Sequence, residues 1–126
     1  MKAESGRRDI RERTLEYGVR VVRLYRALAE TKDGAALIIG KRFLRSATSI
    51  GANVTEAQAA ESTADFIHKY SIAQKEARES EYWLALLEKA ALLPVSRLAE
   101  LKQETNELIA IITTIIVNKK QNRPKP

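Results

Sequence analysis

The chain has 126 residues and a mass of 14.2 kDa, the size of one domain, since single hydrophobic cores stop growing near ~250 residues. It has no cysteine and one histidine, His68. That excludes disulfides, thiolate metal sites, cysteine nucleophiles and iron–sulfur clusters, and leaves little for imidazole catalysis or a zinc site. Lys and Arg number 22 against 16 Asp and Glu, a net charge of +6 with a pI near 9.7, a surplus that favours an acidic partner such as nucleic acid.

The charge is uneven. Residues 1–60 carry 12 basic and 7 acidic side chains, residues 61–91 carry 4 and 6, and residues 92–126 carry 6 and 3. The positive excess therefore belongs to the first half and the C-terminal end. The first residues, MKAESGRRDIRER, contain no apolar signal-peptide core. The longest apolar stretch, residues 108–117, is about half the ~20 residues a membrane span needs. The expectation is a cytoplasmic chain with no membrane partner.

Helical periodicity predicts a first helix over residues 9–30. Leu15, Gly18, Val22, Tyr25 and Ala29 form its apolar stripe with Val21 and Leu28 beside it, and Arg13, Glu16, Arg20 and Arg23 lie opposite. Glu30-Thr31-Lys32-Asp33-Gly34 then reads as a turn. A second helix is predicted over 35–60, with Leu37, Leu44, Ala47, Gly51 and Val54 as its stripe and Phe43 and Ile50 flanking. Its middle, residues 46–52, is small, which lets a neighbouring helix approach closely.

Ser62 and Asp65 resemble a capping box opening the third helix. Phe66, Tyr70, Ala73, Ala77, Ser80, Leu84, Leu87 and Ala91 keep an unbroken apolar spacing there, with Ile72, Trp83, Leu86 and Ala90 as a second row. Leu92-Leu93-Pro94-Val95 ends it, and Ser96 is the expected cap of a fourth helix over 97–119. Leu98, Leu101, Thr105, Leu108, Ile112 and Ile115 form that helix's stripe, widened by Ile109, Ile111, Ile116 and Val117. Lys119 and Lys120 suit the negative end of the helix dipole.

These elements predict an all-α fold, an antiparallel up-down-up-down four-helix bundle over residues 9–120. It is flanked by a flexible basic N-terminus at 1–8 and a disordered basic tail at 121–126. A helix that is apolar on two sides has two partners. The apolar surplus on helix 4 and the Trp83 row of helix 3 therefore predict a homo-oligomer, with Trp83, Ile109, Ile111 and Ile116 at the interface.

The stretches RSATSIGANVTEA (45–57), DFIHKYSIA (65–73) and EARESEYWL (76–84) resemble the small bacterial four helix bundle proteins, also called 23S rRNA intervening-sequence proteins. The resemblance covers residues 42–87, with the flanking helices matching in length and pattern. It implies an antiparallel bundle assembling as a ring-like homopentamer, and an association with RNA or the ribosome inferred from gene context. Related bundles accompany reverse transcriptases, which makes a protein-interaction scaffold docking such an enzyme the alternative function. Many members carry Gly where this chain has Ala57, a departure that extends helix 2 slightly.

Arg45, Ser49, Asn53 and Glu56 share one helix face. They read either as an RNA- or ligand-contacting cluster or, preferably, as a buried polar network fixing helix register, with Asp65 or Glu76 opposite. Asp65-x-x-His68 has the spacing of half a di-iron site, but the second histidine is missing, so no metal and no cofactor is expected. Gly34 to Arg42 has the wrong spacing for a phosphate-binding loop and lacks the hydroxyl residue after Lys41.

The remaining functional candidates are basic: Arg7, Arg8, Arg11, Arg13, Arg20, Arg23, Arg26, Lys41, Arg42, Lys119, Lys120 and Arg123. Guanidinium groups pair bidentately with phosphate. A solvated charged face is the competing reading of the same residues. Five copies would pool about +30, a field screened beyond ~8 Å at physiological salt. The sequence thus predicts a non-enzymatic, oligomeric, RNA- or ribosome-associated protein that grips phosphate backbones.

Overall fold

A computed structural model describes the backbone of residues 2–122 and the side chains of residues 10–122. The described residues form four helices and no strand: α1 (Lys2–Glu30), α2 (Gly34–Ala57), α3 (Thr63–Lys89) and α4 (Val95–Gln121). The predicted elements are all present. Helix α1 starts ahead of residue 9 and α4 starts ahead of residue 97. Residues 2–8, expected as a flexible N-terminus, are helical in backbone, and Gln121, expected in the disordered tail of 121–126, is the last residue of α4; residues 1 and 123–126 lie outside the described residues.

Local chemistry sets the boundaries. Asp33 caps α2 by accepting a hydrogen bond from the Ala36 N–H. Ser62 caps α3 by accepting from Asp65 N–H, while the Asp65 carboxylate reaches back to the N–H of Glu61, one residue beyond the expected capping-box partner. Helix α2 does not continue to residue 60. After Ala57 the N–H groups of Gln58, Ala59 and Ala60 bond three residues back, a tightening that ends the helix. Ser96 is not the cap of α4; Pro94 holds that position without a side-chain bond, and Ser96 lies inside the first turn. Helix α3 closes in a Schellman arrangement, Leu92 N–H to Leu87 C=O and Ala91 N–H to Glu88 C=O, with Ala91 in the left-handed region at φ 56°.

The helices surround one core. Each packs against its neighbour in the chain, and α4 returns to α1 through a sparser seam. Along every seam the partners run in opposite chain order. Glu56 meets Lys69 while Ser46 meets Ser80; Gln74 meets Thr113 while Glu88 meets Lys102.

The core rows of α3 and α4 are close to those expected, with Ile67 and Ile116 taking the places of Phe66 and Ile115. Helix α1 is turned by about one residue, or ~100°. Its buried row is Ile10, Thr14, Tyr17, Val21, Leu24 and Leu28, whereas Leu15 is 69% exposed and Val22 is also exposed. Helix α2 is shifted only in part: Ala47 and Val54 of the expected stripe are buried, as are the flanking Phe43 and Ile50, while Leu37, Leu44 and Gly51 are half-buried. Small residues set the α1–α2 distance. A Cβ on Gly51 would lie 3.3 Å from the Thr14 backbone, and one on Gly40 only 2.9 Å from Leu28 Cδ1.

Candidate nucleic-acid interface

Packing divides the basic candidates into spent and free groups. Arg13 is spent. Its guanidinium forks onto Glu104 at 2.7 and 3.0 Å and also donates to Glu107 at 2.7 Å, closing the α1–α4 seam. The Glu104 bond, more than the Glu107 one, holds Arg13 charged, and Arg13 in turn holds Glu107 below the usual carboxylate range. Arg20 stands 3.7 Å from Glu100 on the same seam. Lys119 lies over the Phe66 ring at 4.6 Å, and Arg42 over the Trp83 ring at 6.0 Å. Arg11, Arg23, Arg26, Lys41 and Lys120 are exposed and make no ion pair among the described residues. The side chains of Arg7 and Arg8, and all of Arg123, lie outside the described residues.

The polar ladder of α2 runs along its seam with α3, facing solvent in part. Arg45, 58% exposed, donates to Glu76 at 3.3 Å and Glu79 at 3.1 Å. Ser49 donates to the Arg45 carbonyl, and Asn53 to the Ser49 carbonyl. Glu56 accepts from Lys69 at 2.9 Å and raises the Lys69 pKa, and Asp65 stays at its cap. The ladder is one seam-spanning set of bonds, with Glu76, mostly covered, on its inner side. Glu79 also accepts from the Trp83 indole N–H at 3.0 Å, and Trp83 stands edge-on to Tyr82 with centroids 5.0 Å apart. Tyr82 is 58% exposed.

The buried polar layer that sequence reasoning missed lies deeper. Tyr17 from α1 and Thr105 from α4 share a hydrogen bond of 2.5 Å, and Ser46 from α2 shares one of 2.8 Å with Ser80 from α3. Every helix contributes one hydroxyl, and all four residues are buried. Ser80 and Thr105 occupy stripe positions in the sequence, and a polar residue in an apolar stripe was the available signal. Outside the core, Leu15, Val19 and Val22 of α1 and Thr48, Gly51 and Ala52 of α2 flank an open, largely apolar groove of about 510 Å³. Among the described residues, no three His, Cys, Asp or Glu side chains converge as a metal site, and no helix is long and apolar enough to cross a membrane.

A family model described as 23S rRNA-intervening sequence protein matches residues 8–114. The chain belongs to that family. It is also similar to a protein of unknown function from the S23 ribosomal protein family of Bacteroides thetaiotaomicron. The two share 40% identity over 85% of this chain and 97% of the other, with a TM-score of 0.79. No curated protein matches the chain. The family match takes in the arginines of α1 from Arg8 onward, the seam ladder and the Tyr82–Trp83 pair, and stops before Lys119 and Lys120. Those two belong to the last turn of α4, where cations oppose the helix dipole.

Proposed function

We propose that this 23S rRNA-intervening sequence protein is a non-enzymatic RNA-associated bundle that grips phosphate backbone through its unpaired basic surface. The observation that carries the reading is the separation of charge. Acidic side chains at the seams, Glu56, Glu76, Glu79, Glu88, Glu104 and Glu107, are engaged by Lys or Arg. Arg11, Arg23, Arg26, Lys41 and Lys120 are exposed and have no ion-pair partner among the described residues. Outward cations of this kind attract a polyanion with little sequence preference.

The proposal includes an antiparallel up-down-up-down topology, supported by the opposite chain order of partners at each seam. It also includes association of several copies, with the ring-like pentamer implied by the family resemblance as the expected form. The surface that supports association is the α1–α2 groove with exposed Leu15 and Val22. Ile116 is used by the chain's own core, and Ile109, Ile111 and Trp83 are half-buried against it. Retention of RNA by purified full-length protein on a filter at about 50 mM salt is the expected result. Absence of retention, together with a protein complex that survives nuclease, would favour the scaffold reading instead.

A further inference from the structure

The sequence makes residues 61–91 the acidic part of the chain, yet the solvent face of α3 is basic. Lys75, Arg78, Tyr82 and Lys89 fall within ~60° of one another around the helix, opposite the buried row of Ala73, Ala77, Ser80, Leu84 and Leu87. All four are exposed. The three cations make no ion pair among the described residues. The acids of α3 are turned aside. Glu76 and Glu79 bond Arg45 of α2, Glu88 bonds Lys102 of α4, and Asp65 caps its own helix. Glu81, one heptad before Glu88, is exposed on the α4-facing edge of this surface.

We infer that the outer face of α3 is a single-stranded RNA site, in which Lys75, Arg78 and Lys89 hold backbone phosphates and the exposed Tyr82 ring stacks on a base. The inference rests on the RNA-binding reading above and names its site and the form of its ligand. From Lys75 to Lys89 the helix rises about 21 Å, the length of about six nucleotides at the 3.4 Å stacked repeat of one strand. Tyr82 sits between cations and is braced edge-on by Trp83, whose indole N–H is fixed on Glu79. Arg42, 6.0 Å from the Trp83 ring centroid, adds a further cation near the pair. An aromatic face flanked by lysine and arginine is the arrangement that binds unpaired bases, because a duplex keeps its bases stacked on each other and leaves none for Tyr82.

The test is fluorescence anisotropy of the full chain with a labelled uridine oligonucleotide at low salt, alongside an RNA duplex of the same length. Tyr82→Ala is expected to weaken binding of the single strand roughly tenfold and Tyr82→Phe to keep it. Lys75→Glu with Arg78→Glu is expected to lower the salt slope by about 1.4, two phosphate contacts at ~0.7 each on a single strand. Trp83 emission should change on binding in the wild type and not in Tyr82→Ala. All of these side chains are exposed, so far-UV circular dichroism is expected to match wild type.

If the wild type binds the oligonucleotide but Tyr82→Ala does not weaken it, or only Arg23→Glu with Arg26→Glu does, the α3 site is overturned while the RNA reading stands. If the wild type binds neither RNA, the RNA reading falls and the α3 site with it.

Discussion

The Tyr17 side chain is fully buried and its hydroxyl pairs with Thr105, so the fold favours its neutral form. Burial outweighs the help from Thr105 and pushes its pKa up to about 12. An unfolded tyrosine ionises near 10. Above that pH the unfolded chain sheds a proton that the folded chain keeps, so stability falls as pH rises from about 10 to about 12 and the loss levels off beyond. The expected loss is about 2–3 kcal/mol, read as the urea midpoint at pH 8 and pH 11.5. Tyr17→Phe should flatten the part of the decline that wild type shows; an identical decline in both would remove Tyr17 as its source. Ala91 is a second residue under strain, a Cβ-bearing side chain in the left-handed region at the close of α3. Glycine is at ease in that conformation but gives the unfolded chain more freedom. Ala91→Gly should therefore raise stability by a net of about 0.5–1 kcal/mol, and a lower thermal midpoint would contradict the capping account.

At the scale of elements, the closeness of α1 and α2 depends on glycine. Gly40 faces Leu28 and Tyr25, and Leu28 is fully buried with nowhere to move. Gly40→Val should cost about 1–3 kcal/mol by overpacking; an unchanged unfolding midpoint would show that the seam has slack. The same seam explains what the sequence could and could not convey. Four helices and most of the α3 and α4 core rows are legible because their apolar residues follow one unbroken period. Helix α1 carries two apolar rows side by side, Ile10-Tyr17-Val21-Leu24-Leu28 and Leu15-Gly18-Val22-Tyr25-Ala29, each with helical spacing. Periodicity alone does not say which row faces the core. The polar Thr14 disguises the first row, and its hydroxyl is satisfied by the Arg11 carbonyl. Candidate arginines were legible as residues, but their employment was not. Arg13 and Arg23 are alike in sequence, and only the position of Glu104, 91 residues away in the chain, spends one of them and leaves the other free.

For the whole molecule, the seams pair Glu56, Glu76, Glu79, Glu88, Glu104 and Glu107 with Lys or Arg, while Arg11, Arg23, Arg26, Lys41 and Lys120 stay on the outside beside exposed Glu16, Glu30 and Glu81. Packing also leaves Leu15 and Val22 uncovered beside the α1–α2 groove. Sedimentation velocity should therefore show an assembly larger than one chain. Leu15→Glu with Val22→Glu should reduce it to single folded chains, since neither side chain belongs to the core; a wild-type chain that sediments alone would contradict the association. Several outward-facing copies of the basic surface would also strengthen the grip on a polyanion.

The most direct measurement of the central claim, that the outward positive charge binds RNA, is the dependence of RNA affinity on salt between about 50 and 200 mM. The account predicts a straight line of log affinity against log salt with a slope of about −0.7 for every phosphate neutralised on a single strand. A line that stays flat across that range would contradict it.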